Sequence, residues 1–365
     1  MKREQSLKTF SVHPLVHYWS WERMSKSDQQ KMCLMGSTIL SCAISERYEI
    51  QHYRLRRIIF LHIKANKIHE RQIGIIEQYY DDKWSNFALV LRKNGDLNNA
   101  EKLAVQVMDM RKKLFGVEHL DTLNSMASLT ITYSYQGRWN EAEQLEIQVM
   151  DMSKKLLGAK HPDTLNSMAH LASTYMNQGR LNEAEQLQVQ VLDMLKKLLG
   201  AEHPDTLTSM ALLASTYKSQ GRLDESEQLE VQVLNMSREL LGAEHPDTLT
   251  SMTNLGNAYR IQGRLDEAEQ LETQVMDISK KLLGAEHPDT LTSMAHLAST
   301  YWNQGRFNEA EQLQVQVMYM RKKLLGVEHP DTLNSMAHLA NTYQSQERWN
   351  EAEQLQPNEE KDLLK

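Results

Sequence analysis

Six histidines, His119, His161, His203, His245, His287 and His329, recur at a 42-residue step, and imidazole is a common metal ligand. A metal site would need several of them about 2 Å from one ion. Equivalent loops of stacked repeats lie roughly 10 Å apart, the packing distance of neighbouring helices, so the period keeps these rings from converging. The pattern predicts local hydrogen bonding at the turn between repeats. Paired carboxylates such as Glu183 and Glu185 also return in every unit. A catalytic pair would be unique and set in a cleft that displaces its pKa values. A pair copied at each helix start reads as a cap and a complement to the helix dipole. The sequence has no G-x-S-x-G, no H-E-x-x-H and no G-x-x-x-x-G-K-[ST], the spacings that would position a nucleophile, a zinc ion or a phosphate. No catalytic residue, cofactor or metal is therefore expected, and the chain reads as a non-enzyme.

These residues are held by elements that the punctuation of the sequence reveals. Pro162, Pro204, Pro246, Pro288 and Pro330 are 42 residues apart, and two glycine series, Gly95 to Gly305 and Gly116 to Gly326, keep the same interval. Such a period denotes a repeat architecture. Units begin at 79 (degenerate), 121, 163, 205, 247, 289 and 331, the last truncated after Gln356, and residues 163–204 and 289–330 share 35 of 42 positions. Within a unit, Leu165, Met168, Leu171, Ala172 and Tyr175 mark one face of a first helix. Pro162 and Asp163 suit its start and Gly179 its left-handed end. Asn182 and Glu185 read as a capping box for a second helix, along which Ala184, Leu187, Val191, Met194 and Leu198 repeat until Gly200 stops it. Each helix, about 15 residues or roughly 22 Å long, must bury its stripe on neighbouring units. The methionines Met110, Met126, Met152, Met168, Met194, Met210, Met236 and Met252 fall on these stripes and read as core.

Leu171-Ala172-x-x-Tyr175-x-x-Gln178-Gly179-Arg180 followed by Glu183-Ala184-Glu185-Gln186-Leu187 resembles the tetratricopeptide repeat (TPR). The 42-residue period and the Leu-Gly-x-x-His-Pro-Asp linker resemble the kinesin-light-chain type. Gln188 stands where that family commonly has an aromatic, and Val191 where it commonly has a small residue. The resemblance implies an all-α fold, a right-handed TPR superhelix (α-solenoid) of helix pairs over 79–356. Ahead of it, Phe10-Ser11-Val12-His13-Pro14-Leu15-Val16-His17-Tyr18-Trp19 resembles the end of the winged-helix segment in STAND (NLR-like) NB-ARC–TPR receptors, whose fungal members often carry this repeat type. Val12-His13-Pro14-Leu15 aligns with the Met-His-Asp-Leu motif of that class, with Pro14 in place of the Asp. No phosphate-binding loop accompanies it, so His13 is not expected to hold a nucleotide. Residues 1–30 are thus expected to be a receptor remnant, 31–78 a helical connector and 357–365 a polar tail. In the connector, Tyr53-Arg54-Leu55-Arg56-Arg57 reads as the solvated face of a helix.

In TPR arrays the first helix of each pair lines a concave groove. The resemblance places its second, twelfth and thirteenth positions, counted from the Leu of Asp-Thr-Leu, among those that face a ligand. The second holds Asn124, Asn166, Thr208, Thr250, Thr292 and Asn334. The twelfth holds Ser134, Met176, Lys218, Arg260, Trp302 and Gln344, and the thirteenth begins with Tyr135. The last two rows vary most among units that are otherwise near copies, and core positions cannot vary so freely. Trp302 and Arg260 are the expected anchors. At the far end, Glu347 replaces the glycine of the other units, at about 1 kcal/mol if left-handed. Pro357 interrupts the last helix, so self-association through that uncapped repeat is a further expectation.

Charge completes the reading. Residues 1–78 carry 13 Lys/Arg against 7 Asp/Glu, and residues 79–365 carry 28 against 41. An array that acidic repels phosphate backbones, so nucleic acid is not an expected partner. Neither is a membrane, since apolar runs such as Ile58-Ile59-Phe60-Leu61 fall far short of the roughly 20 residues a span needs. Cys33 and Cys42 form no CxxC, which fits a reducing, cytoplasmic location. The expected function is a protein-interaction scaffold or ligand-sensing arm that binds a peptide or protein in its groove. The alternatives are a kinesin-light-chain-like cargo adaptor and part of a nucleotide-regulated NTPase receptor.

Overall fold

The computed structural model describes residues 81–355 and the isolated Ser25. The expected receptor remnant (Ser25 apart), the connector and the polar tail, with His13, Cys33, Cys42 and Pro357, lie outside the described residues. Among those described there are fourteen α-helices and no strand, as the glycine and proline period predicts. They divide between two compact units, Met1–Leu114 and Phe115–Lys365. In the first, α1 (Asp81–Lys93) packs Phe87, Ala88, Val90 and Leu91 against Ala100 and Leu103 of α2 (Leu97–Phe115), with Trp84 at the margin.

The second unit is a run of helix pairs: α3 (Leu120–Tyr135) with α4 (Trp139–Leu157), α5 (Pro162–Asn177) with α6 (Leu181–Leu199), and α7 (Pro204–Ser219) with α8 (Leu223–Leu241). It continues with α9 (Pro246–Ile261) and α10 (Leu265–Leu283), α11 (Pro288–Asn303) and α12 (Phe307–Leu325), and α13 (Pro330–Ser345) and α14 (Trp349–Leu355). From α3 on, each helix packs on the next. The core is a chain of small clusters rather than one centre. Leu165, Met168, Val191 and Leu195 form one; Leu192, Leu207, Met210, Leu213 and Val233 form the next. Each such side chain contributes roughly 1.5–3 kcal/mol on burial, and Leu192 of α6 joins the second cluster to the pair before it.

Local chemistry sets the helix boundaries. Each histidine of the 42-residue series is an N-cap: the Nδ1 of His161 accepts from the Asp163 N–H at 3.2 Å, and the other five repeat the bond at 3.1–3.2 Å. Pro at the first turn has no N–H to leave unsatisfied. A fully buried threonine, just after the Asp, ties this start to the end of the preceding helix. Thr122, Thr164, Thr206, Thr248 and Thr290 donate to the carbonyls of Gly116, Gly158, Gly200, Gly242 and Gly284 at 2.8–2.9 Å. Those glycines have φ near +90°, and ψ is near 160° from Gly158 on, a region reserved for glycine. First helices end in a Schellman turn: Arg180 N–H reaches Tyr175 C=O at 2.9 Å and Gly179 N–H reaches Met176 C=O at 3.0 Å around a left-handed Gly179. Glu347 keeps this turn at φ 62°, the one left-handed non-glycine among the described residues.

Three expectations need correction. The second helix starts two residues earlier than the capping box requires: its N-cap is Arg180, with no side-chain cap bond, and Asn182 lies inside the helix. Leu198 is exposed, because the last turn of α6 projects past its neighbours. The methionine stripe is core only in part: Met110 and the first-helix residues Met126, Met168, Met210 and Met252 are buried, whereas Met152, Met194 and Met236 of second helices are half-buried.

Candidate functional site

Position along the first helix decides what each candidate residue meets. The second-position residues Asn124, Asn166, Thr208, Thr250, Thr292 and Asn334 are all exposed. Thr208 and Thr250 satisfy their hydroxyls on the Pro204 and Pro246 carbonyls at 3.0 Å. The thirteenth-position residues, from Tyr135 through Asn177, Ser219, Ile261 and Asn303 to Ser345, are exposed as well. Two rows of side chains thus recur on the first helices, one near their start and one near their end.

The twelfth row differs from the expectation that its variable residues simply face outward. Ser134, Met176, Lys218, Arg260 and Gln344 are half-buried, and only Trp302 is exposed. The Met176 sulfur accepts from the Thr216 hydroxyl at 3.6 Å, and the Trp302 indole N–H donates to Ser345 Oγ at 3.2 Å. Lys218 is 3.9 Å from the carboxylate of Glu230, which is 3% exposed. Glu230 belongs to a second buried series on the second helices: Glu146, Gln188, Glu230, Glu272 and Gln314. Cationic Lys218 and Arg260 occur in units whose buried residue is Glu230 or Glu272. Met176 and Trp302 occur in units with Gln188 or Gln314. In these four units the twelfth position changes with the buried polar residue of its own unit, whereas Ser134 accompanies Glu146, whose carboxyl takes hydrogen bonds from Thr174 and Thr130 instead.

The buried carboxyls carry the electrostatic signature of that packing. Burial pushes Glu230 up to about 7, against the pull of Lys218. Burial also raises Glu146 to about 7, against hydrogen bonds from Thr174 and Thr130. Burial raises Glu272 too, opposed by the Thr300 hydroxyl, which donates at 2.6 Å, and by the Arg260 charge. The Thr342 hydroxyl makes the equivalent 2.6 Å bond to Gln314. Arg260 donates to Asn257 at 2.6 Å and is engaged with its own unit as well as with the surface.

The carboxylate pair of each unit divides its work: Glu183 stays local, in the first turn of α6 with Arg180 donating to it at 3.1 Å, whereas the second carboxylate links repeats. Glu143 receives Gln178 and Arg180 of the following unit, each at 2.8 Å. Glu185 receives Gln220 and Arg222, also at 2.8 Å. Arg264, Arg306 and Arg348 bind Glu227, Glu269 and Glu311 in the same way. Each of these arginines also lies over the tyrosine of its own turn, with its guanidinium 3.9–4.3 Å from the ring centroid. Burial pulls Glu185 upward, but the hydrogen bonds from Arg222 and Gln220 outweigh it and leave the carboxyl below its ordinary value. From sequence this pair reads as local. The signal that points further is that Gln-x-Arg and Glu-x-Glu return together in most units from 121 on.

Two second-position residues, Thr292 and Asn334, are brought together at a pocket of about 170 Å³ between α11, α12 and α13, where His296, Arg321 and His338 also face. Sequence reading misses these three, because they stand outside the most variable rows. No group of three or more potential metal ligands occurs among the described residues, and none of the described helices is long and apolar enough to cross a membrane.

Residues 79–155, 163–239, 248–289, 290–331 and 332–357 match the tetratricopeptide repeat family. Among solved structures, a Podospora anserina putative kinesin light chain with nearly identical TPR-like repeats is 36% identical; the match covers 56% of this chain and 98% of that one, with a TM-score of 0.48. Apo RapI is 11% identical over 77% of this chain and 95% of its own, with a TM-score of 0.54. NprR in complex with its cognate peptide NprX is 14% identical over 80% and 82%, also with a TM-score of 0.54. None of the curated proteins compared with the chain matches it.

Proposed function

The chain belongs to the tetratricopeptide-repeat family, and from that premise we propose that it is an interaction scaffold that binds a peptide or protein partner in a groove lined by its first helices. The observation that carries this reading is the pair of exposed rows, Asn124 to Asn334 and Tyr135 to Ser345, on units that are otherwise near copies. A long partner can meet a repeated polar background at the second positions and read identity at the thirteenth, with exposed Tyr135, Ile261 and Trp302 as apolar anchors. NprR, which shares the fold alone, has been solved with a peptide. The resemblance of residues 10–19 to a STAND winged-helix segment makes the array the sensing arm of a cytoplasmic receptor of that class, the nucleotide module being a separate element. The 42-residue period and the Leu-Gly-x-x-His-Pro-Asp linker, which resemble the kinesin-light-chain type, favour cargo adaptation as the second reading.

Photoreactive residues placed at Thr250 and Ile261 of the full chain test the groove, with exposed Lys197 on α6 as the control. A partner captured from native lysate crosslinks at the first two and not at the third, and Trp302→Ala weakens its binding at least tenfold without moving the melting temperature. Equal crosslinking at Lys197 overturns the proposal.

A further inference from the structure

Arg321 is a cation that makes no direct ion pair among the described residues, although the Asp331 charge acts on it. Its guanidinium donates to Ser335 Oγ at 2.9 Å, to the Asp331 carbonyl at 3.3 Å and to Thr292 Oγ1 at 3.4 Å, all neutral acceptors. The Asp331 carboxylate lies 3.7 Å from His329 and reaches Arg321 through its charge rather than through a direct ion pair. The equivalent residues of the other repeats are Arg111, Ser153, Leu195, Ser237 and Ser279, so four near-copy repeats pack here without an arginine. A half-buried guanidinium whose direct partners are all neutral leaves its shell open to an anion.

The walls around it are built of donors. His296 of α11 and His338 of α13 line the same 170 Å³ pocket. Thr292 accepts from Arg321 and keeps its own hydroxyl proton to give. Ser299 and Ser335 bond back to the carbonyls of Ala295 and Asp331 at 3.0 and 2.8 Å. Arg260 of α9 adds a second positive charge to the neighbourhood: burial first, then Arg260 and Arg321, holds His296 low, and burial, Arg321 and Arg260 do the same for His338. The opposing acids are Glu272, bonded to Thr300, and Asp331. One lining guanidinium, a second cation nearby and two imidazoles, each with an N–H to give, thus gather in an array that is acidic overall. A carboxylate would use only two of these donors. A phosphoryl group offers three terminal oxygens and a charge of about −1.5 to −2, which matches a guanidinium flanked by two imidazoles and a hydroxyl.

We infer that this pocket binds a phosphoryl group carried on a side chain of a bound peptide, with Arg321 as its primary cation and His296, His338 and Thr292 as flanking donors. The inference rests on the groove reading above, since Thr292 and Asn334 set the pocket on the proposed partner face. A site that reads phosphorylation would make the scaffold's partner choice switchable by a kinase.

The test titrates the full chain with a capped phosphoserine heptapeptide, its unphosphorylated form, its glutamate form and inorganic phosphate, following the ring protons of His296 and His338 by NMR. The phosphopeptide shifts both rings saturably, and its affinity falls at least tenfold in Arg321→Leu, which installs the residue of a near-copy repeat, and in His296→Leu, which mimics Leu212. Arg321→Lys retains part of the binding. Equal binding of the glutamate or unphosphorylated peptide overturns the inference, as does binding of inorganic phosphate alone or an unchanged affinity in Arg321→Leu. A partner that crosslinks at Thr250 but ignores Arg321→Leu sinks this site and spares the groove; a partner that avoids Thr250 sinks the groove itself.

Discussion

Replacing Glu230 with Gln should stabilise the array at neutral and alkaline pH and leave it unchanged in mild acid. Glu230 is 3% exposed, and burial raises its carboxyl from 4.5 to about 7. At about 1.4 kcal/mol for each tenfold change in proton affinity, ionising it in the fold costs on the order of 3 kcal/mol. The sign follows from proton counting. Between pH 4.5 and about 7 the folded chain keeps the proton that the unfolded chain has released, so this residue's contribution falls as pH rises through that window and is level above it. Glutamine does not titrate, and Gln188 occupies the equivalent buried place one unit earlier. Glu230→Gln should therefore match the parent near pH 4.5 and exceed it by up to about 3 kcal/mol at pH 8. Lys218→Met should do the reverse at pH 8, by stranding the carboxylate, and should have little effect once Glu230 is Gln. That double variant reproduces the Met176–Gln188 pair. Urea unfolding of the four proteins at both pH values measures the cycle, and hydrogen exchange in α8 localises it, since repeat arrays need not unfold as one unit. A Glu230→Gln variant that keeps the parent's pH profile would refute the reasoning.

Other consequences are quickly checked. Arg260→Ala, expected from sequence to affect binding alone, should also lower the melting temperature at pH 8, because Glu272 loses a favourable charge; no melting change would separate the two. Stability should also fall below about pH 4.5, where Glu143, Glu185, Glu227 and Glu269, held below their ordinary value by the next repeat, take up protons in the folded state. Denaturant midpoints between about pH 3 and 5 read this, and Glu185→Gln should flatten the slope. Thr206→Val should cost about 1 kcal/mol by removing the 2.8 Å bond to Gly200. Glu347→Gly should gain about 1 kcal/mol at the φ 62° turn; chemical denaturation of α13–α14 signals would report both the sign and the size.

The helices were legible in the sequence because glycine and proline act through the backbone of their own turn: Pro162, Gly179 and Gly200 each did what their chemistry allows wherever the neighbours lie. The histidine caps were legible for the same reason. What the period could not reveal is which positions of different helices touch. Glu185 read as a local cap because Asn182 stood three residues before it, whereas its partners Gln220 and Arg222 sit one unit later. The pairing of Lys218 with Glu230 depends on how α7 lies against α8, and only side-chain geometry exposes it. Arg321 escaped notice because its row holds serine or leucine in most units, so its oddity becomes informative only when His296 and His338 are seen beside it.

The matched polar pairs constrain how such a gene can evolve. Lys218 with Glu230, and Met176 with Gln188, are each contained within one 42-residue unit, so copying a whole unit carries both partners along. A crossover between misaligned copies whose breakpoint falls in the stretch separating the two partners does something else. It joins a cationic first helix to a carboxamide, or a methionine to a buried carboxylate, and the hybrid is penalised although every residue in it is native to the array. Recombination that resolves outside that stretch keeps these pairs together. The interior therefore acts as a register mark on the DNA, favouring growth and loss of the array in intact units while the exposed rows remain free to diverge.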